Sequence, residues 1–255
     1  MTEMLLEVNA LSVSYRLRGG VFRAVDGVSF RLGRGRTLGI VGESGSGKSS
    51  LARAILQLEP HEGSVSLLGE LLEGLHGEAL RRARRHMQAV FQDPLASLNP
   101  RMTVRAILEE PLRVHERSLT AAERLQRARQ ALRRVGLDAE LLFHYPHELS
   151  GGQCQRIAIA RAVICNPALL VCDEAVSALD ASVRGQVLAL LEGLRREMNI
   201  GIIFIAHDMT AVRYLCDEVM VMEAGRVVEH AARDDLFQSP RHPRTRALLD
   251  AVLEP

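Results

Sequence analysis

Residues 42–49 constrain the fold of this chain more than any other segment. They read Gly-Glu-Ser-Gly-Ser-Gly-Lys-Ser, which matches the spacing G-x-x-x-x-G-K-[ST] of a phosphate-binding loop. In such loops backbone N–H groups surround the phosphates, the lysine reaches the β and γ oxygens, and the serine hydroxyl binds Mg²⁺. The loop requires a strand before it and a helix after it, and residues 37–41 and 50–58 are strand-like and helix-compatible. The sequence therefore predicts an α/β core with a nucleotide at this loop.

The lysine of this loop is unusual within the chain. The sequence contains 31 arginines and one lysine, Lys48. A compact ammonium fits where a broad guanidinium fork does not, so the single exception indicates a position that requires lysine. The alternative, a glycine-rich surface loop with an incidental lysine, does not account for the strand and the helix on either side.

Composition and charge limit the classes of function. With 255 residues, of which 47% are hydrophobic and 25% charged, the chain can bury the core of one large domain or two small ones. The formal net charge of +1 provides no field that would attract nucleic acid or an acidic membrane surface. The arginines within residues 81–85 could form a basic patch, but we interpret them as a solvated face.

The cysteines and the hydropathy favour a soluble chain. The cysteines, at positions 154, 165, 172 and 216, show no C-x-x-C pair, which argues against zinc or iron–sulfur sites and predicts buried, reduced thiols. No stretch of 18 consecutive apolar residues occurs, and the first residues lack the basic flank and apolar run of a signal peptide. We therefore expect a cytosolic chain that acts at a membrane only through a partner.

The first part of the chain is predicted to be rich in strands. Residues 1–41 alternate apolar and polar positions, with turn signals at Gly19-Gly20, Asp26-Gly27 and Gly33. From about residue 94 to residue 163 the pattern becomes helical. Thr120 and Glu123 there form a capping box that begins a helix ending at Gly136.

The last part returns to an α/β pattern. Residues 168–172 and 201–206 are near-continuous apolar runs, typical of strands buried on both faces of a mainly parallel sheet. A helical stripe of Val and Leu between them, from Val183 to Leu194, completes a βαβ unit. A helical insertion therefore splits an α/β nucleotide-binding core.

Charged side chains follow both apolar runs. Asp173 and Glu174 come directly after the first, where open α/β sheets bind their ligands. We assign Asp173 to Mg²⁺, through water, and Glu174 to polarising the attacking water, because neighbouring residues of a strand point in different directions. His207 follows the second run. A lone histidine at such a position is more often structural, but its convergence with the other strand ends favours function.

A second anion-binding element precedes the helix-like residues 154–163. Ser150 can cap that helix, while Gly151 and Gly152 allow its N–H groups to approach an anion closely. The first loop already surrounds one nucleotide, so the second element is expected to contact a nucleotide bound to another subunit.

Together these residues resemble the ATP-binding cassette, the motor subunit of ABC transporters, over nearly the whole chain. The resemblance implies that residues 42–49 are the Walker A loop, residues 149–153 the signature, residues 169–173 Walker B and residues 177–180 the D-loop. The implied catalytic residues are Glu174, His207 as the switch histidine, Lys48 and the Q-loop glutamine Gln92.

The resemblance also implies the ligands of ATP and Mg²⁺. The ATP-binding residues are Tyr15, Gly42, Glu43, Ser44, Gly45, Ser46, Gly47, Lys48, Ser49, Ser50, Ser150, Gly151, Gly152, Gln153 and Asp180. The Mg²⁺ ligands are Ser49, Gln92 and Asp173. Tyr15 resembles the aromatic residue that stacks on adenine, although its surroundings equally suit a strand-facing core tyrosine.

Three positions depart from the family pattern. Cys172 stands where an aliphatic residue is usual, Cys154 where a polar or basic one is, and Ala175 where proline commonly follows the glutamate. None of these changes removes a functional group, so we expect ATP hydrolysis.

The resemblance implies one cassette domain over residues 1–255. Residues 1–92 and 164–235 are expected to form the nucleotide-binding α/β core with an N-terminal antiparallel β-subdomain. Residues 93–163 are expected to form an inserted helical signature subdomain, and residues 236–255 a short C-terminal extension. The predicted fold class is thus an α/β P-loop NTPase core with a mainly parallel sheet.

The implied partners are a second ATPase subunit and two transmembrane permease subunits at the cytoplasmic face of the inner membrane. The second subunit is expected to be a related, non-identical chain or another copy of this one, and an extracytoplasmic solute-binding protein acts indirectly. Residues 91–94, 97–101 and 239–249 look most like the peptide and nickel importers, and the solute stays open. The alternative function is a soluble ABC ATPase acting on DNA or the ribosome. It is disfavoured because the chain shows neither a long mid-cassette insertion nor a second cassette.

Overall fold

The computed structural model describes residues 3–17 and 20–253. Its strands are β1 (Met4–Leu17), β2 (Gly20–Gly33), β3 (Thr37–Val41), β4 (Glu62–Leu67), β5 (Glu70–Leu71), β6 (Met87–Val90), β7 (Leu169–Asp173), β8 (Gly201–Ile205), β9 (Glu218–Glu223) and β10 (Arg226–Ala232). Its helices are α1 (Lys48–Ile55), α2 (Gly77–Arg85), α3 (Pro94–Ser97), α4 (Val104–His115), α5 (Ala121–Arg134), α6 (Gly151–Val163), α7 (Ala181–Met198), α8 (Met209–Leu215), α9 (Arg233–Gln238) and α10 (Pro243–Leu253). Short 3₁₀ helices cover Ala139–Phe143 and Pro146–Glu148.

The strands form two sheets, as the sequence predicts. One is an antiparallel sheet in the order β2-β1-β4-β5. The other has the order β10-β9-β3-β8-β7-β6, and all its pairs are parallel except β10 with β9. Strands β3, β7 and β8 are buried along their whole length, which explains their continuous apolar runs. The fold is α/β with a mainly parallel sheet and an antiparallel N-terminal sheet.

The register of the parallel strands determines where their carboxyl ends lie. Ile205 of β8 is paired with Ile40 of β3 on one side and with Asp173 of β7 on the other. On the far side of β7, Val90 of β6 is paired with Cys172. The segments that follow these strands therefore leave the sheet at one edge, as the sequence predicts.

The predicted turn at Asp26-Gly27 is wrong, because β2 runs through it. Gly27 has φ +66° and the pairing shifts from Leu11↔Val28 to Val13↔Val25, so β2 has one extra residue there. A glycine at positive φ accommodates such a bulge without ending the strand. The strand ends at Gly33 as predicted, and Gly19 lies outside the described residues.

The helices between β6 and β7 follow the predicted caps. Thr120 caps α5 and Ser150 caps α6, each within a complete capping box. The helix predicted over residues 50–58 begins earlier, at Lys48, and ends at Ile55. The helix predicted over residues 154–163 begins at Gly151, because the Ser150 cap allows the two glycines to form its first turn.

The remaining composition-based predictions concern the thiols and the arginines. All four cysteines are free and buried, and burial raises the pKa of Cys172 to about 12. Arg81 and Arg85 of α2 form ion pairs with Glu78 and Glu116, so the arginine cluster is partly neutralised rather than simply solvated.

Among the described residues, none of the helices combines the length and apolar composition needed to cross a bilayer.

A buried carboxylate ties α4 to α5. Glu109 is 1% exposed and contacts the guanidinium groups of Arg105 at 2.6 Å, Arg113 at 2.8 Å and Arg124 at 3.8 Å. Burial favours the neutral acid, but the hydrogen bonds from Arg105 and Arg113 outweigh it and lower the pKa of Glu109. These contacts hold the helices against which α6 packs.

We expect Glu109→Gln to lower the free energy of unfolding by about 2 kcal/mol, because a buried charge-assisted set of hydrogen bonds is lost. Since the folded-state pKa lies below the unfolded value, this contribution is present above the unfolded pKa and disappears as the pH falls through the folded one. Denaturant unfolding measures both effects. The exposed neighbour Glu110→Gln is the control, and an equal loss in both variants would contradict the prediction.

Candidate functional site

The segment between β3 and α1 adopts a conformation that only glycines allow. Gly42, Gly45 and Gly47 all have positive φ. At Gly47, with φ +103°, an added Cβ would lie 2.2 Å from the carbonyl oxygen of Ala24 in β2. The loop is also hydrogen-bonded from outside, because the N–H of Gly225 donates to the carbonyl of Ser46 at 3.0 Å. Neighbouring segments thus hold the loop in shape.

The side chain of Lys48 folds back across this loop. Its Nζ donates to the carbonyl oxygens of Gly42 at 2.8 Å and Glu43 at 2.7 Å, and the residue is 5% exposed. Burial lowers the pKa of Lys48, while the nearby carboxylates of Glu174 and Asp173 oppose that shift. The ammonium is therefore held at the loop, close enough to Glu174 and Asp173 for their charges to stabilise it.

Asp173 lies opposite the first turn of α1. Its carboxylate accepts a hydrogen bond from the Ser49 hydroxyl at 3.1 Å, and the residue is 8% exposed. Burial raises the pKa of Asp173, in spite of the Ser49 hydrogen bond and the charges of Arg53 and Lys48. A buried carboxylate whose charge is so weakly compensated is a suitable ligand for a cation. The Ser49 and Asp173 oxygens are hard donors of the kind that Mg²⁺ prefers.

Glu174 leaves the sheet in a different direction. It has φ +51°, a left-handed conformation that is costly for a residue other than glycine, and its N–H donates to the carbonyl of Ile205 at 3.0 Å. Its carboxylate lies 3.9 Å from Nδ1 of His207, whose side chain is 60% exposed. The two carboxylates thus face different surroundings, one toward Ser49 and the other toward the histidine.

The segment after Glu174 connects these groups to α7. The Ser177 hydroxyl donates to the carbonyl of Glu174 at 2.9 Å, and Asp180 caps α7 by accepting from the N–H of Val183 at 3.0 Å. That hydrogen bond, together with one from Ser182, lowers the pKa of Asp180. Sequence reasoning missed Arg184, which donates to Asp208 at 2.7 Å and so joins α7 to the segment that carries His207. The sequence did not indicate this contact, because nothing in the local pattern distinguishes an arginine one turn into a helix.

The residues of the second anion-binding element lie at the N-terminus of α6. Ser150 accepts from the N–H of Gln153 at 3.3 Å, and Gln153 accepts from the N–H of Ser150 at 2.9 Å. At Gly152 an added Cβ would lie 2.8 Å from Cγ1 of Val183, so this glycine allows α7 to approach. Ser150 and Gly151 are exposed. Within the described part of the chain, no hydrogen bond or ion pair joins this element to the Lys48 loop.

The two remaining predicted residues differ in their placement. Tyr15 is partly buried against the core, and its hydroxyl donates to Ser50 Oγ at 3.2 Å, so the ring lies beside α1. This position suits both interpretations of Tyr15. Gln92 is exposed and lies two residues beyond the end of β6, at the sheet edge where β7 ends at Asp173.

Known proteins resemble this chain over most of its length. A model of the ABC transporter family matches residues 25–177. The oligopeptide transport ATP-binding protein OppF of Escherichia coli is 47% identical over 260 residues, which cover 98% of this chain and 78% of that protein. A putative peptide import ATP-binding protein of Brucella abortus is 47% identical over 257 residues, covering 100% of this chain and 81% of that protein.

Solved structures match the fold. The ATP-binding cassette MJ0796, in a dimeric post-hydrolysis state bound to ADP and Pi, has a TM-score of 0.82 at 28% identity and covers 90% of this chain and 99% of its own. The protein cbiO1 of Clostridium perfringens, part of the ABC transporter complex cbiONQ, has a TM-score of 0.81 at 27% identity and covers 97% of this chain and 99% of its own.

Because Lys48 is the single lysine, an amine-directed acylating reagent distinguishes its environment directly. We expect Lys48 to react more slowly than the N-terminal amine, since it is 5% exposed, and ATP with Mg²⁺ to slow it further. Acylation removes the charge, so ATPase activity should fall in proportion to labelling at Lys48. Mass spectrometry with and without nucleotide measures both rates, with urea-unfolded protein as the control. Fully labelled protein that still hydrolyses ATP would contradict the prediction.

Proposed function

This chain belongs to the ABC transporter family and is an ATPase, and we propose that it drives the import of peptides through membrane permease subunits. One observation supports the ATPase part of this proposal. Lys48, the Ser49–Asp173 pair and the Glu174–His207 pair lie together at one edge of the sheet. The relatives named above carry the names of an oligopeptide transport protein and a putative peptide import protein, which favours peptide over nickel as the solute class. The same names argue against a soluble ATPase of DNA repair or translation.

The loop of residues 42–49 is proposed to bind the phosphates of ATP. Its N–H groups would surround the phosphates, and Lys48 would exchange its two carbonyl partners for the β and γ oxygens. Ser50 and Tyr15 would form the adenine side of the site. The hydrogen bond from the tyrosine hydroxyl to Ser50 would orient the ring.

Ser49, Asp173 and Gln92 are the proposed ligands of Mg²⁺. The pairing of Ser49 with a buried carboxylate supports this assignment, and Gln92 would approach from the neighbouring strand end. When bound, Mg²⁺ neutralises charge on the phosphates during transfer. The chain's own contribution is to hold the hydroxyl and the carboxylate in place.

Glu174 is the proposed base for hydrolysis. A water oriented by its carboxylate would attack the γ-phosphorus, the bond to the bridging β–γ oxygen would break, and the water proton would pass to Glu174. ADP and phosphate are the products. The 3.9 Å separation from His207 supports a role for the imidazole in fixing this carboxylate and contacting the γ-phosphate.

The signature residues are proposed to act on a nucleotide held by another subunit. The exposed, capped N-terminus of α6 offers N–H groups to an anion, and Ser150, Gly151, Gly152 and Gln153 would contact the γ-phosphate across a dimer, with Asp180 near the interface. The cassette MJ0796 has been solved as a dimer, which supports this arrangement.

The permease subunits are proposed to dock on the groove between α2 and α4. Its apolar walls include Leu58, Phe91, Pro111 and Val114, of which Leu58, Phe91 and Val114 are exposed. Phe91 directly precedes Gln92, so the groove adjoins the nucleotide site.

We propose a peripheral location at the cytoplasmic face of the inner membrane and a second ATPase subunit, with a solute-binding protein outside the membrane. The division into core residues 1–92 and 164–235, helical residues 93–163 and extension 236–255 is part of this proposal.

We expect Glu174→Gln to retain ATP binding and to reduce kcat by about a hundredfold or more, because the water loses its base. Steady-state ATPase assays and equilibrium ATP binding measure the two effects. Glu140→Gln, an exposed glutamate in a 3₁₀ helix, is the control for loss of a carboxylate elsewhere. Undiminished turnover in Glu174→Gln would refute the assignment.

We expect Ser150→Arg to abolish hydrolysis while leaving ATP affinity of the isolated monomer within about twofold, because its phosphate belongs to the opposite subunit. Thr120→Arg is the matched control, since it removes an exposed N-cap of the same kind from α5. Isothermal titration with ATP and phosphate release distinguish the two variants. Loss of ATP binding by monomeric Ser150→Arg would rule out the trans arrangement.

A further inference from the structure

The C-terminal helix reaches the phosphate-binding loop through one side chain. The guanidinium of Arg244, in the first turn of α10, forms an ion pair with the carboxylate of Glu43 in the loop. Its Nε lies 3.6 Å from the carboxylate of Glu223 at the end of β9. The Arg244 side chain is 22% exposed, whereas that of Glu43 is 66% exposed. Arg244 is thus a mostly enclosed cation that contacts a loop residue open to solvent.

The start of α10 is fixed so that Arg244 points to this place. Glu229 of β10 accepts the N–H groups of Arg241 and His242, each at 2.9 Å, and the hydroxyl of Thr245, which is fully buried. Burial favours the neutral form of Glu229, but these hydrogen bonds outweigh it and lower the pKa of Glu229. A carboxylate at the N-terminus of a helix also stabilises the helix dipole. Arg244 therefore lies in a helical turn that the hydrogen bonds to Glu229 hold in place.

The charge of Glu43 explains why a cation at this position of the loop would favour ATP binding. The carbonyl of Glu43 accepts Lys48 Nζ at 2.7 Å, so the residue is part of the structure that positions the lysine. Its side chain is a carboxylate beside the place where the phosphates of ATP bind, and like charges at short distance repel. An arginine on that carboxylate removes the repulsion and limits the movement of the loop.

We propose that Arg244 is a positioning residue for ATP binding, which acts by neutralising Glu43 and holding the phosphate-binding loop against the C-terminal helix. The proposal rests on the assignment of residues 42–49 to ATP. It extends that assignment by making the affinity for nucleotide depend on the segment after β10. Movement of α10 away from β10 would expose the Glu43 charge and weaken ATP binding.

A double-mutant cycle tests the proposal. We expect Arg244→Ala to raise the Kd for ATP with Mg²⁺ about three- to fivefold at low ionic strength, and less at about 1 M salt, where exposed charges are screened. In a Glu43→Gln background the charge to be neutralised is gone, so the same substitution should change Kd by less than about 1.5-fold. Isothermal titration measures all four proteins.

The matched control is Arg246→Ala. Arg246 lies on the same helix and carries the same charge, but its side chain donates to the carbonyls of Pro240 and Arg241 within the segment. We expect its Kd for ATP to equal that of the unaltered protein. Amide hydrogen exchange over residues 42–49 in nucleotide-free protein should be faster in Arg244→Ala than in Arg246→Ala, since the loop loses a contact.

The outcomes separate the inference from the function on which it rests. Equal effects of Arg244→Ala in both backgrounds, equal effects of the two arginine variants, or unchanged hydrogen exchange would each overturn the role of Arg244. Lys48→Ala is the reference for the site itself, because it removes the ammonium while leaving the C-terminal helix intact. If Lys48→Ala binds ATP as well as the unaltered protein, the loop assignment and the inference both fail. If it does not bind, the loop assignment stands whatever Arg244→Ala does.

Discussion

The parallel pairing of β3, β8 and β7 is the constraint on which the site depends. Ile40, Ile205 and Asp173 lie side by side in register, so the phosphate-binding loop, the two carboxylates and the histidine leave the sheet together. Both faces of these strands are buried, so a shift of one residue would exchange the side chains that pack on the two faces and disrupt both layers of the core. The side chains proposed for catalysis need no contact with one another to be brought together. Their order across the sheet follows from the pairing of the strands.

Within that frame, the loop itself is supported from several sides. The Ala24 carbonyl of β2 lies against Gly47, the turn after β9 donates Gly225 N–H to Ser46, and Arg244 contacts Glu43. A loop whose amides must point at an anion leaves those amides without partners in the free protein, so its shape must be held by other contacts. The supports come from both sheets and from the C-terminal helix, and they explain why so much of the chain surrounds eight residues.

Backbone conformation separates the two adjacent carboxylates into different surroundings. Asp173 ends β7 and is buried against Ser49, whereas Glu174 turns into a left-handed conformation toward His207. Adjacent residues of a strand already point to opposite faces, and the positive φ of Glu174 adds to that divergence. Backbone strain of this kind persists only where the surroundings maintain it, here through the Ile205 carbonyl and the Ser177 hydroxyl. This separation is what the proposed assignment of one carboxylate to a cation and the other to a water depends on.

Sequence alone determined the loop, the buried strands and the helix caps, because each depends on residues close together in the chain. Lys48 with its glycines, the apolar run ending at Asp173 and the Ser150 cap could all be read from local spacing. The bulge at Gly27 could not, since a glycine after aspartate also suits a turn, and only the pairing of β2 with β1 decides between them. The sequence likewise did not indicate the contact of Arg244 with Glu43. Among 31 arginines nothing local marks one as a partner of the loop, and only the hydrogen bonds between Glu229 of β10 and the start of α10 place the two charges together.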